Sequence, residues 1–392
     1  MKTRIGIIFG GSSREREVSF AGGRTVYDNL NKSLFEAIPV FVDSFGNFVL
    51  LDWKYIYKGS IRDFYPPVEH LPQTENEFQI YAESLGNLTK SEQLALLKPI
   101  GKHLPADELF QHIDFAFLCL HGVNGEDGRI QGLLEYYGIP YSGSGILSSA
   151  IGINKATQKK LMTVAGFPAP AYLTLSRSEW NNLTVRNGIV AKISSTIGLP
   201  CVIKAANQGS SIGVSIINQS EADNIISAIE RAFFIETISK VKWDSWNNEE
   251  KVRYIRTLCD IREGTGLPVW YTSEDFTGWI YHPEKLLSHL NTSFSNGISS
   301  VKLESRDVDT EVVIEGFIEG KEFSCIVIKN ENGTPISLPP TEIRKGKELF
   351  DYRSKYLPGL SRKITPIQIP EKNIDDIRKS CERLFSAMLF NV

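Results

Sequence analysis

The stretch KAANQGSSIGVSI, Lys204 to Ile216, follows an apolar run, Leu199-Pro-Cys-Val-Ile, and leads into a β-rich one, Val214-Ser-Ile-Ile. A Gly-Ser-Ser-Ile-Gly loop between two strands reads either as an ordinary hairpin connection or as a mobile clamp whose backbone N–H groups hold a phosphate. It is not a Walker A loop, which sets Lys-Ser/Thr after its glycines at a helix start. Here the lysine precedes the loop, on a strand, from where it can reach phosphates from below. In isolation the hairpin is the favoured reading.

Working outward, Ser149 to Leu175 reads as a helix with a glycine stop at Gly166, then Pro168 and a strand. Toward the N-terminus, RIGIIFGGSSREREVSFAGGRTVYDNL (Arg4 to Leu30) gives a buried strand at Ile5, Ile7, Ile8 and Phe9, a glycine turn and a helix. AIPVFVD (Ala37 to Asp43) is the next strand, so a βαβ unit and a parallel sheet are expected. IDFAFLCLHG (Ile113 to Gly122) is a later buried strand ending in His121-Gly122. The fold class read from this is α/β: an N-terminal parallel-sheet, Rossmann-like domain over 1–143, a central α+β part over 144–310 and a last part over 311–392. Residues 237–309 interrupt the pattern. They hold four of the six tryptophans (Trp243, Trp246, Trp270, Trp279) and read as an inserted subdomain with the tryptophans filling a small core.

Composition narrows the function classes. At 392 residues the chain exceeds one typical core. A net charge of −3 gives no basic surplus for nucleic acid or anionic membrane. No apolar run approaches a membrane span and the N-terminus lacks a signal-peptide run, so a cytoplasmic protein is expected. The cysteines, Cys119, Cys201, Cys259, Cys325 and Cys381, are odd in number and form no CxxC pair, which favours reduced thiols.

Several residues have chemical content, each with a plainer alternative. Lys155 opens a helix in GINKATQKKLM, where a cation opposes the helix dipole unless an anion binds there; it also reads as a solvated lysine. Glu315 and Glu322 flank a turn between apolar strands, as nucleotide-holding carboxylates or as rim charges. Glu15 lies just past the first glycine turn, as an ammonium ligand or as a helix-start charge. His121 ends a buried strand at the sheet edge where ligands of open α/β sheets sit, or it caps that strand. Lys355 and Tyr356, in DYRSKYLPGL, lie in a turn-rich loop able to close over a site, or in an ordinary surface loop. A hydride-transfer Rossmann enzyme is disfavoured because FGGSSRE is not GxGxxG.

Taken together and in order, FGGSSREREVS, CLHGVNGEDGRIQGLLEYYGIPYSGSG, INKATQKKLM, VIKAANQGSSIGVS, VVIEGFIEGKEFSC and FDYRSKYL resemble the D-alanine–D-alanine ligases of the ATP-grasp superfamily. The resemblance implies an ATP-grasp module of two α+β subdomains, the last one incomplete here, and a reaction in two steps through a D-alanyl phosphate, serving peptidoglycan synthesis. It implies that Glu15 holds the first D-alanine's ammonium and that His121 and Glu126 line the D-alanine side. Glu15, Ser210 and Tyr356 then form a Glu–Ser–Tyr network. Lys155, Lys204 and Lys355 match phosphate-binding lysines, Gly209, Ser210 and Ser211 form the loop over the phosphates, and Glu315 and Glu322 match adenine and ribose positions. ATP, with Mg²⁺ or Mn²⁺, is the implied cofactor set, and a homodimer is implied as a possibility.

Two departures accompany the resemblance. Residues 237–309 exceed a link between neighbouring elements by roughly fifty residues. The family's Arg-x-Asp and Glu-x-Asn elements, which supply the catalytic arginine and the metal ligands, fall past Val392, so the expectation is a shortened chain that is inactive alone. Another ATP-grasp carboxylate–amine ligase and a non-catalytic nucleotide- or partner-binding module are the alternative readings.

Overall fold

The computed structural model describes residues 2–307, 309–345 and 361–390. They group into two compact units. Unit one joins Met1–His121, Tyr137–Pro140 and Ile226–Thr310; unit two joins Gly122–Tyr136, Tyr141–Ile225 and Glu311–Val392.

Unit one begins with β1 (Thr3–Gly10), whose Ile5, Ile7, Ile8 and Phe9 are all buried. A strand apolar on successive residues is covered on both faces, as expected at the centre of a parallel sheet. β1 pairs in parallel with β2 (Phe35–Val42) on one side and β5 (Phe115–Leu118) on the other, with α1 (Arg16–Asn29) as the crossover between β1 and β2. The expected βαβ unit is therefore present. β3 (Phe48–Leu51) and β4 (Gly101–Leu104) extend the sheet antiparallel, giving the order β4-β3-β2-β1-β5. Helix and sheet approach closely at Gly23, where an added Cβ would lie 2.6 Å from the Phe9 ring.

The chain then starts unit two with α2 (Arg129–Tyr136), α3 (Lys155–Val164), β6 (Tyr172–Ser176), β7 (Cys201–Ala205) and β8 (Ser215–Ile217). Along β7, Cys201, Ile203 and Ala205 are buried while Val202 and Lys204 are half-buried. This period of two sets Lys204 on the face opposite the core.

Back in unit one come β9 (Ile235–Ser239), α4 (Asn248–Cys259), β10 (Val269–Thr272), β11 (Thr277–Ile280), α5 (Pro283–Ser295) and β12 (Ser300–Ser305). The strands form an antiparallel sheet, β11-β10-β12-β9. The core under it holds Trp243, Ile255, Tyr271, Leu286, Leu290 and Phe294, and Phe78 and Ile80 from the long β3–β4 connection join it. This tryptophan-rich segment, read as an insertion of the central part, thus groups by its contacts with the N-terminal sheet. Of its tryptophans, Trp243 fills the core and Trp246 packs against it. Trp270 and Trp279 do not; they face each other across β10 and β11 with rings 5.2 Å apart, and Trp279 is exposed. Alternation along β10 explains this, since Val269 and Tyr271 take the inward face.

Unit two resumes with β13 (Glu311–Gly316), which enters between β6 and β7 to give β6-β13-β7-β8. β14 (Glu322–Ser324), β17 (Thr341–Lys345) and β18 (Ser361–Ile364) form a second sheet, and β15 (Val327–Lys329) with β16 (Pro335–Ser337) forms a hairpin. α6 (Glu371–Ala387) is tied to that hairpin: Ser337 donates through N–H and Oγ–H to Glu382 at 2.9 and 2.7 Å, and Arg378 donates to the Ser337 carbonyl at 2.8 Å. Along α6 Phe385 is buried, as is Met388 just past its end. Cys119, Cys201 and Cys259 are buried thiols, whereas Cys325 and Cys381 are half-buried and face each other between the hairpin and α6.

Two buried arginines hold unit one together, and the sequence reading singled out neither. Arg14 donates to the carbonyls of Ile261, Gly264 and Thr265 at 2.7–2.9 Å and to Ser305 Oγ at 3.1 Å, with its guanidinium 3.8 Å from the Phe234 ring centre. Burial pulls its pKa down to about 10, so it stays charged at neutral pH. Arg16 pairs with Glu83 at 2.6 Å, both nearly closed to solvent. Burial pushes the Glu83 carboxyl up, but Arg16 outweighs it and leaves it below glutamate's ordinary 4.5.

Replacing Arg16 by Met leaves Glu83 buried and uncompensated, at an expected cost of about 3 kcal/mol in urea unfolding. In the unmodified protein the Glu83 contribution is full above the unfolded pKa of about 4.5 and is lost as pH falls through the lower folded value. Stability curves of wild type and R16M, measured from neutral pH downward, are expected to converge.

Candidate active site

The Lys204 loop is a hairpin connection by topology: β7 and β8 pair antiparallel on either side of it. Its backbone is unusual. Ser210 and Ser211 have φ of 51° and 60°, and Gly213 follows at 71°. Two adjacent non-glycine residues in the left-handed region cost of order 1–3 kcal/mol each, strain that concentrates at ligand clamps. A turn built only to connect strands would carry glycine or asparagine there.

Lys155 is the first residue of α3. Asn154 caps the helix through Oδ1, which accepts the Thr157 N–H at 2.7 Å, and its amide donates to Asn207 Oδ1 at 2.9 Å. The Lys155 N–H donates to the Ala206 carbonyl at 3.0 Å, and its ammonium donates to the Gln208 carbonyl at 2.5 Å. The start of α3 and the base of the Gly-Ser loop therefore form one hydrogen-bonded piece, which brings Lys155 to the loop.

Glu315 lies on β13, offset by two residues from the cross-strand partner of Lys204, which is Val313. Its two carboxylate oxygens receive Lys204 and Lys159. Burial pushes the Glu315 carboxyl up, and the two lysines outweigh it, holding it below the usual glutamate range. Lys159 also lies 5.3 Å from the Tyr172 ring centre. The sequence reading missed Lys159. The only available signal was its place one turn beyond Lys155, on a helix crowded with lysines. Glu322, by contrast, opens β14 in the separate three-stranded sheet.

In unit one, Glu15 is buried and stands at the N-cap of α1, where its carbonyl accepts the Val18 and Ser19 N–H groups. Arg14 and Arg16 on either side fix this turn, so the position of Glu15 is set by its neighbours' burial. His121 follows β5 and is half-buried. In unit two, Glu126 closes its own turn by accepting the Gly122 N–H at 2.7 Å. Lys355 and Tyr356 lie outside the described residues. Among the described residues no group of three or more His, Cys, Asp or Glu is placed to hold a metal ion. No helix among them is long and apolar enough to cross a membrane.

The pattern of these residues matches family models in both halves of the chain. The D-ala D-ala ligase N-terminus model matches residues 4–144, and the D-ala D-ala ligase C-terminus model matches 161–239 and 294–391. The chain belongs to the D-alanine–D-alanine ligase family. The family's C-terminal model skips residues 240–293, which lie inside the tryptophan-rich segment. Among similar proteins, the D-alanine–D-alanine ligase of Caldicellulosiruptor bescii is 26% identical over 384 residues, covering 98% of this chain and 78% of its own length. That of Geobacillus thermodenitrificans is 26% identical over 389 residues, covering 99% and 80%. The solved VanG D-Ala:D-Ser ligase from Enterococcus faecalis shares the ligase fold at a TM-score of 0.58 and 22% identity, covering 100% of this chain and 84% of that one.

Two outcomes are expected of the site. Ser211→Gly relieves left-handed strain and raises stability by up to about 1 kcal/mol, read as a higher melting temperature. Lys204→Met removes one of the two cations on Glu315, so the Glu315 carboxyl pKa rises, as followed by side-chain carboxyl NMR on lowering pH.

Proposed function

We propose that the chain acts in the ATP-dependent joining of two D-alanines into D-alanyl-D-alanine for the bacterial cell wall. The observation that carries this reading is the strained Gly209-Ser210-Ser211 loop standing between Lys204 on β7 and Lys155 at the start of α3. Two cations beside a loop of inward-bending backbone suit the phosphates of a nucleotide.

In the first step, a carboxylate oxygen of one D-alanine attacks the γ-phosphorus of ATP, the bond to the β–γ bridging oxygen breaks, and ADP leaves. In the second, the amine of another D-alanine attacks the acyl carbon, loses a proton, and inorganic phosphate departs. Phosphorylation converts a poor leaving oxygen into a good one, and the protein's part is positioning and charge neutralisation. Lys155 and Lys204 bind phosphate oxygens, with Lys204 exchanging Glu315 for the nucleotide. Lys159 keeps Glu315 compensated in that exchange. Glu15 holds the ammonium of the first D-alanine, and Glu126 and His121 line the D-alanine side. Ser210 and Tyr356 orient the closed site, and Lys355 and Glu322 complete the nucleotide contacts.

Nucleotide binding tests this directly, without requiring turnover. ATP affinity, by calorimetry, is expected to fall about tenfold or more in Lys204→Met, the loss of one charge-assisted contact. Glu15→Gln is expected to leave ATP affinity unchanged and to weaken D-alanine at least about thirtyfold. ATP binding untouched by both Lys204→Met and Lys155→Met would overturn the reading, as would mass-spectrometric detection of a different amine or hydroxy acid as the preferred second substrate.

A further inference from the structure

Cys325 and Cys381 come from distant parts of the chain and meet within unit two. Cys325 lies between β14 and β15, and Cys381 lies on α6. The Cys325 thiol donates to the Leu338 carbonyl at 3.5 Å, one residue beyond Ser337. Ser337 is the residue tied to Glu382 and Arg378. On α6, Arg378 stands one turn before Cys381 and Glu382 directly after it. The contacts that hold α6 to the hairpin therefore also bring Cys381 to Cys325, and the two side chains are within hydrogen-bonding reach of each other.

Both thiols are half-buried, unlike those of Cys119, Cys201 and Cys259, which are buried. Beside Cys325, Ile326 and Leu338 are exposed, so a small reagent can approach the pair. Burial, and then the neighbouring Cys381 sulfur, push the Cys325 thiol up to about 12. That thiol stays protonated at neutral pH, which makes exchange at the pair slow. Thiols that face each other from two elements add one chemistry to plain packing, a reversible covalent bond.

We infer that Cys325 and Cys381 form a reversible disulfide that clamps α6 to the β15–β16 hairpin when the chain meets a small-molecule disulfide. One cysteine, as its thiolate, attacks the small disulfide, forming a mixed disulfide and releasing one small thiolate. The second cysteine attacks the protein sulfur of that mixed disulfide, and the other small thiolate leaves. The two protein thiols are oxidised to one S–S bond, the small disulfide is reduced to two thiols, and the two protons pass to the leaving thiolates.

The full chain is incubated with oxidised glutathione, its remaining thiols are alkylated in denaturant, and its peptides are mapped by mass spectrometry. Cys325 and Cys381 are expected in one cross-linked pair lighter by two hydrogens, with Cys119, Cys201 and Cys259 alkylated and the link reversed by dithiothreitol. The cross-linked form is expected to melt about 5 °C or more above the reduced form, because the bond closes a long loop. Cys325→Ser is expected to give no link and to leave a glutathione adduct on Cys381. Serine keeps a donor for the Leu338 carbonyl, and an unchanged melting temperature under reducing conditions checks that the fold is kept. Neither ATP nor D-alanine enters the test, so its outcome is separate from that of the proposed reaction. All five cysteines alkylated after incubation overturns the inference. So do glutathione adducts at both sites without a link, a link between two copies of the chain rather than within one, or a link that leaves the melting temperature unchanged or lower.

Discussion

A carboxylate drawn out of water must meet positive charge, and Glu315 is where unit two resolves that demand. It stands at the end of β13, the strand that fills the middle of its sheet, so its position is fixed by two ladders of backbone hydrogen bonds. Lys204 must then come from β7 and Lys159 from α3. Once those three side chains are set, α3 is held against the sheet, and Lys155 is carried to the base of the Gly-Ser loop. A single charge-satisfaction problem thereby orders the sheet face, a helix and a loop. On the proposed function, a nucleotide's phosphates would compete with Glu315 for these cations.

Much of this was legible in the sequence because it depends on short-range pattern. The successive apolar residues of β1, the alternation along β7 that turns Lys204 away from the core, and the turn between β7 and β8 all follow from periods that local steric rules impose. The loop's significance was not legible locally. It emerged from the order of neighbouring motifs, and in the structure from left-handed serines that no composition rule anticipates.

What escaped the sequence is what depends on distant partners. Arg14 and Arg16 sit in SSRER, where only Glu15 drew attention in the sequence, and each is buried because carbonyls and a carboxylate from remote segments meet it. Lys159 is one lysine among several on α3, distinguished only by the register that brings Glu315 opposite it. Trp270 and Trp279 look like core residues by type, but strand alternation gives the inward positions to Val269 and Tyr271. Side-chain type proposes burial, and strand phase decides it.

The contacts of Arg14 also bear on how the tryptophan-rich segment relates to the rest of unit one. Its acceptors at Ile261, Gly264 and Thr265 all lie in residues that the family model skips, while Arg14 itself lies in a part the model matches. The segment is therefore no detachable cassette. Cutting it out would strand a buried cation in the host, and grafting it onto a scaffold without an arginine at that turn would leave three carbonyls without a donor. Host and guest have been written into each other at a single side chain, so any transplant has to carry both halves of that bond.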